Sequence, residues 1–254
     1  YKKKRTEIKP IKILVKPFGN GVNMIVSKKM YELGSKRSAI RELFEYGKQQ
    51  VAKVGAENVF DFSLGNPTVP SPAIVNETLK EIMDNNDSIT VHGYTSAQGD
   101  VQTRKAIADY LNNTYGTHFT ENNFYMTMGA AASLSLCFKA LTTSENDEFI
   151  TIAPYFPEYN VFVESSGAKL VVVSADTTNF QINFDELEQK INKNTKGVII
   201  NSPNNPSGAV YSKATIEKLA SLLERKSNEY NTQIFIISDE PYREIAYDGI
   251  EVPY

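Results

Sequence analysis

Between Glu148 and Ser238, short apolar runs alternate with longer stretches whose apolar residues recur at helical spacing. Glu148-Phe-Ile-Thr-Ile152, Lys169-Leu-Val-Val-Val173, Lys196 to Asn201 and Gln233 to Ser238 read as strands. Residues 157–166, Phe184 to Ile191 and Lys213 to about Glu229 read as helices between them. Strands alternating with helices predict an α/β fold, a mainly parallel sheet with helices on both faces. Right-handed crossovers then bring the carboxyl ends of the strands to one edge, where ligands gather in such sheets.

Upstream, Ala39, Ile40, Leu43, Phe44 and Val51 fall at helical spacing, with Ser35 or Ser38 as candidate caps. Ser71-Pro72 signals a helix running to about Met83, with the serine as cap and the proline in the first turn. Another helix is predicted from about Asp100 to Tyr115. Phe124-Tyr-Met-Thr-Met128 reads as a short buried strand entering the alanine-rich helix that begins at Gly129-Ala-Ala-Ala132. Cys137 falls in Leu134-Ser-Leu-Cys-Phe138, on the side of that helix expected to be buried.

Composition adds little except in its distribution. The 254 residues are 41% hydrophobic and 22% charged, ordinary for a globular protein. Residues 1–23 carry seven basic side chains against Glu7, leaving a net charge of −9 on the remainder. Such an arm reads as a solvated tail or an extension ahead of a start at Met24 rather than as a nucleic-acid or membrane surface. Lys12 and Lys16 interrupt its apolar run, so it does not resemble a secretory leader, and other apolar runs are strand-sized. A lone cysteine has no internal disulfide partner; together these features predict a cytoplasmic protein with no metal site.

Chemistry concentrates at the predicted strand ends. Asp239 follows Ile234-Phe-Ile-Ile237, where an unpaired carboxylate would cost several kcal/mol in desolvation, so a cation is expected to meet it. A protonated pyridine nitrogen would serve, as would a structural ion pair or a helix-capping role. Tyr242, three residues on, can share that side of the turn, and Asn205 in Asn204-Asn-Pro-Ser-Gly208 offers an amide donor. Gly129, Ala130 and Ala131 carry no bulk at a helix start, so a phosphate can approach the unpaired backbone N–H groups there. Their spacing matches neither dinucleotide nor nucleoside-triphosphate loops. Phe156, in Ala153-Pro-Tyr-Phe-Pro157, can lie flat on an aromatic ring or simply fill the core.

Six segments in this order resemble the fold-type I pyridoxal-phosphate enzymes, specifically the class I/II aminotransferases related to aspartate aminotransferase. They are Leu64-Gly-Asn-Pro67, His92 to Gly99, Gly129 to Ala131, Pro154-Tyr-Phe156, Asn205-Pro-Ser-Gly208 and Asp239-Glu-Pro-Tyr242. The resemblance implies transfer of an amino group between an amino acid and a 2-oxo acid, pyridoxal 5'-phosphate as cofactor, and a homodimer. It places Gly129, Ala130 and Ala131 at the phosphate, Phe156 on the ring, Asn205 and Tyr242 at the 3-oxygen, and Asp239 at the pyridine nitrogen. Gly65 and Asn205 would meet the substrate, and Tyr94 the neighbouring subunit's phosphate. Ala131 stands where the family often has a hydroxyl.

The same resemblance divides the chain into a basic extension (1–23), the start of a small domain (24–62) and a C-terminally incomplete cofactor-binding large domain (63–254). The family's Schiff-base lysine is expected beyond Tyr254, as the last lysine is Lys226. Residues 1–254 alone are therefore expected to be inactive. A carbon–sulfur lyase or decarboxylase shares this cofactor floor, and a non-catalytic ligand-sensing domain can retain the fold.

Overall fold

The structure is a computed structural model that describes residues 27–254 apart from 36–38, 64, 66–68 and 175. The basic arm, Met24, Ser38, and Leu64, Asn66 and Pro67 of the first motif lie outside the described residues.

Two compact units divide between Thr68 and Val69. The first contains α1 (Lys28–Ser35), α2 (Ala39–Val54) and a single 3₁₀ turn at Ala56–Asn58. The predicted helix around Leu43 and Phe44 is thus α2.

The second unit opens with α3 (Ala73–Asn85), α4 (Ser88–His92) and α5 (Val101–Tyr115). Pro72, rather than Ser71, occupies the cap position of α3 and gives it no side-chain bond. Asp100 accepts from Thr103 N–H at 2.8 Å and so starts α5, while Gly116 ends it at φ 68°.

Then follow α6 (Ala130–Leu141), β1 (Glu148–Ile152), α7 (Tyr159–Ser166), β2 (Lys169–Val173) and α8 (Phe184–Lys190). The last elements are β3 (Thr195–Asn201), α9 (Lys213–Tyr230) and β4 (Phe235–Asp239). Ser212 caps α9 by accepting from Thr215 N–H at 3.1 Å, the usual repair for an unpaired first-turn donor.

All strand pairs are parallel, in the order β2-β1-β3-β4. Because the chain moves one way from β1 to β2 and the other way thereafter, right-handed crossovers must place α7 opposite α8 and α9. The core follows that rule. Ile150, Ile152, Val198 and Ile200 pack with Leu187, Leu219, Leu222 and Leu223 on one face. Phe149, Ile199 and Ile237 pack with Leu134, Phe138, Tyr159 and Val163 on the other. Each fully buried Ile or Leu contributes about 1.5–3 kcal/mol. At Gly197 a Cβ would lie 3.0 Å from the Phe235 carbonyl oxygen, so glycine permits the close approach of β3 and β4.

Two further expectations are corrected. Phe124 to Met128 form no strand; Tyr125, Met126 and Met128 are exposed, and the segment is held by Met126 N–H on the Gln98 carbonyl at 2.9 Å. An apolar run becomes a strand only where a neighbouring strand pairs with it, and none does among the described residues. Cys137 is exposed. The inward face of α6 is set by Leu134 and Phe138, four residues apart, and Cys137 is turned about 100° from Phe138.

Candidate active site

Three chain reversals at the carboxyl edge of the sheet meet the start of α6. A cavity of about 120 Å³ there is lined by Ala130, Ala131, Leu134, Phe156, Phe162, Asn201, Asn205, Asp239, Pro241 and Tyr242. It lies by the point where strand order reverses between β1 and β3, the place a doubly wound sheet leaves open.

Gly129 caps α6 at φ 88° with no side-chain hydrogen bond, a conformation strained for any other residue. Its carbonyl takes the N–H groups of Ala132 and Ser133 and the Thr127 hydroxyl, the last at 3.0 Å. The N–H groups of Ala130 and Ala131 have no partner among the described residues. With only methyl side chains beside them, these donors and the positive helix end suit an anion.

The loop after β3 closes on itself. Asn204 N–H donates to the Ala209 carbonyl at 2.9 Å, Gly208 N–H to the Asn204 carbonyl at 2.8 Å, and Ser207 N–H to Asn204 Oδ1 at 3.0 Å. That closure presents Asn205, whose Nδ2 donates to Tyr242 Oη at 3.2 Å across the cavity. Tyr242 itself precedes the 3₁₀ turn Arg243–Ile245, which brings its phenol to the side of Asp239 as expected.

Asp239 ends β4, half-buried. Among the described residues no Lys or Arg nitrogen lies within 4 Å of it, so no structural ion pair forms at Asp239 there. Its partner is Tyr159, whose Oη donates to Asp239 Oδ2 at 2.6 Å. Tyr159 is 1% exposed; burial first, and this hydrogen bond second, push its phenol pKa well above the ordinary value. The phenol therefore stays a donor and leaves the carboxylate charge unmatched. Tyr159 also meets Phe156 edge-on at 5.8 Å between ring centroids.

Of the residues expected at the site, Ala130, Ala131, Phe156, Asn205, Asp239 and Tyr242 converge on this cavity, and Gly129 adjoins it. Tyr94 does not line it and is fully exposed. Gly65 belongs to the first unit and is exposed there. Sequence reasoning missed Tyr159 and Asn201. Tyr159 stands one helical turn after Phe156, and Asn201 is the polar residue closing the apolar run Val198-Ile-Ile200; those were the available signals.

Among the described residues no group of three or more His, Cys, Asp or Glu is placed to hold a metal ion, and no helix is long and apolar enough to cross a membrane.

The family model "Aminotransferase class I and II" matches residues 57–252. An aspartate aminotransferase of Sulfurisphaera tokodaii is 34% identical over 204 residues, covering 79% of this chain and 48% of that protein. Another, of Pyrococcus horikoshii, is 34% identical over 214 residues, covering 84% and 50%. The chain thus spans about half the length of the curated relatives it matches. Among solved structures, an amino transferase from Eubacterium rectale is 68% identical with a TM-score of 0.89, covering 91% of this chain and 58% of that one. Aspartate aminotransferase from Thermus thermophilus, solved with maleate, is 25% identical with a TM-score of 0.73, covering 88% and 55%. By the extent of the family match and by these relatives, the chain belongs to the class I and II aminotransferases.

Proposed function

We propose that the protein to which this chain contributes transfers an amino group between an amino acid and a 2-oxo acid, with pyridoxal 5'-phosphate as cofactor. One observation carries the reading: a helix start with unpaired N–H groups, an aromatic ring, an amide–phenol pair and an unmatched carboxylate share one cavity. Each suits one part of that cofactor.

Ala130 and Ala131 would offer backbone N–H groups to the phosphate, and Phe156 a flat apolar surface to the ring. Asn205 and Tyr242, already paired at 3.2 Å, would turn their donors to the 3-oxygen. Asp239, held by Tyr159, would face the ring nitrogen and keep it protonated. When bound, the cofactor supplies an electron sink for charge developing at the substrate's α-carbon. Ala131 has no hydroxyl, so at that position only the backbone would bind phosphate.

In this reading residues 24–62 begin a small domain, Gly65 meets the substrate, and exposed Tyr94 serves the second copy of a homodimer in the cytoplasm. The test is product analysis of the full-length protein with pyridoxal phosphate and an amino acid. The expected products are the 2-oxo acid and pyridoxamine phosphate. Ammonia with a thiol, or carbon dioxide, would reassign it to lyase or decarboxylase chemistry, and no turnover with retained binding to a sensing role.

A further inference from the structure

Asn201 is the last residue of β3 and the register partner of Asp239, the last residue of β4. It is 4% exposed, deep enough that both ends of its amide require partners. Nδ2 donates to the backbone carbonyl of Asp239 at 2.7 Å, and Oδ1 accepts from the backbone N–H of Asn205 at 2.6 Å. The amide orientation is fixed by chemistry, because a carbonyl only accepts and an N–H only donates. Pro203, two residues on, has no N–H with which to extend the ladder. The Asn201 side chain thus acts as an extra rung, tying one motif turn to the other where the backbone no longer can.

Among the described residues, the other side-chain hydrogen bond between these turns is Asn205 to Tyr242, made by the side chains that face the cavity. Under the function proposed above, on which this inference rests, those side chains are committed to the cofactor. We infer that Asn201 is a positioning residue that sets the spacing between Asn205 and Asp239, so that one ligand can meet both. Aspartate would aim an acceptor at the Asp239 carbonyl, and serine would be too short to reach both partners.

The test uses the full-length protein with Asn201→Ser and Asn201→Asp, alone and combined with Asn205→Ala. Pyridoxal phosphate binding is followed by visible circular dichroism, together with the pH midpoint of the bound cofactor's absorption. Each single Asn201 variant should bind at least roughly tenfold more weakly, the cost of stranding a buried polar group. Its absorption midpoint should shift, which a purely structural loss would not produce. In the Asn205→Ala background the loss should be clearly smaller.

A folded variant that binds like wild type with an unmoved midpoint overturns the inference, as does an undiminished loss beside Asn205→Ala. Should neither variant fold, hydrogen exchange on wild type decides: a protected Asn205 amide supports the link, and exchange at the rate of an open loop overturns it. A wild-type protein that takes up no pyridoxal phosphate overturns the cofactor reading itself and this inference with it.

Discussion

β3 and β4 are neighbours of similar composition that end in paired polar residues, yet they do different work. Six of the seven residues of β3 are buried, and Val198, Ile199 and Ile200 feed both core faces. In β4 only Ile237 is buried, while Phe235 and Ile236 are 36% and 37% exposed. Within the described sheet β3 feeds both core faces, and β4 ends in the carboxylate. A carboxylate is tolerable at Asp239 because the residue is only half-buried and Tyr159 supplies a donor.

That contrast breaks first if Ile199→Ala proves mild. Ile199 is 1% exposed, and its truncation should cost about 2–5 kcal/mol in urea unfolding of the full-length protein. Asp239→Asn is the matching probe of β4. Under the proposed function, loss of a charge partner in a sheltered site should lower transamination by the full-length protein on the order of a hundredfold. The melting temperature without cofactor should fall by only a few degrees, because the asparagine carbonyl still accepts from Tyr159; a collapse there would make Asp239 a structural residue.

Tyr159→Phe is expected to cost about 1.5–3 kcal/mol, since it removes a hydrogen bond to a charged group. The sign with pH follows from the raised phenol pKa. The contribution is fully present below the unfolded tyrosine value of about 10 and fades only as pH climbs through the higher folded value. The wild-type minus Tyr159→Phe stability difference should therefore be flat through neutral pH, and a fall between pH 6 and about 8 would contradict it. Smallest is Ile236→Ala, at about 1 kcal/mol or less from its partial burial. A cost equal to that of Ile199→Ala would erase the distinction between the strands.

Much of this organisation was legible without coordinates. The apolar runs that became β1 and β3 announced themselves because parallel strands covered on both faces are apolar throughout, and β2 and β4 were legible as short apolar runs set between helical stretches. Asp100 was legible as a helix start because its side chain bonds locally. Phe124 to Met128 misled because apolar content says nothing about whether a neighbouring strand exists. Cys137 misled because one residue of offset on a helix separates an inward from an outward direction.

By itself, then, the sequence determined the alternating α/β architecture, the helix start at Gly129 and the motif turns around Asn205 and Asp239. Those depend on local periodicity and on turn chemistry carried within a few residues. Tertiary structure alone decided that Tyr159 reaches Asp239 across 80 residues and that Asn201 joins Asp239 to the Asn205 turn across 38. Such contacts arise from crossover direction and strand register, which bring together donors and acceptors that no local pattern links.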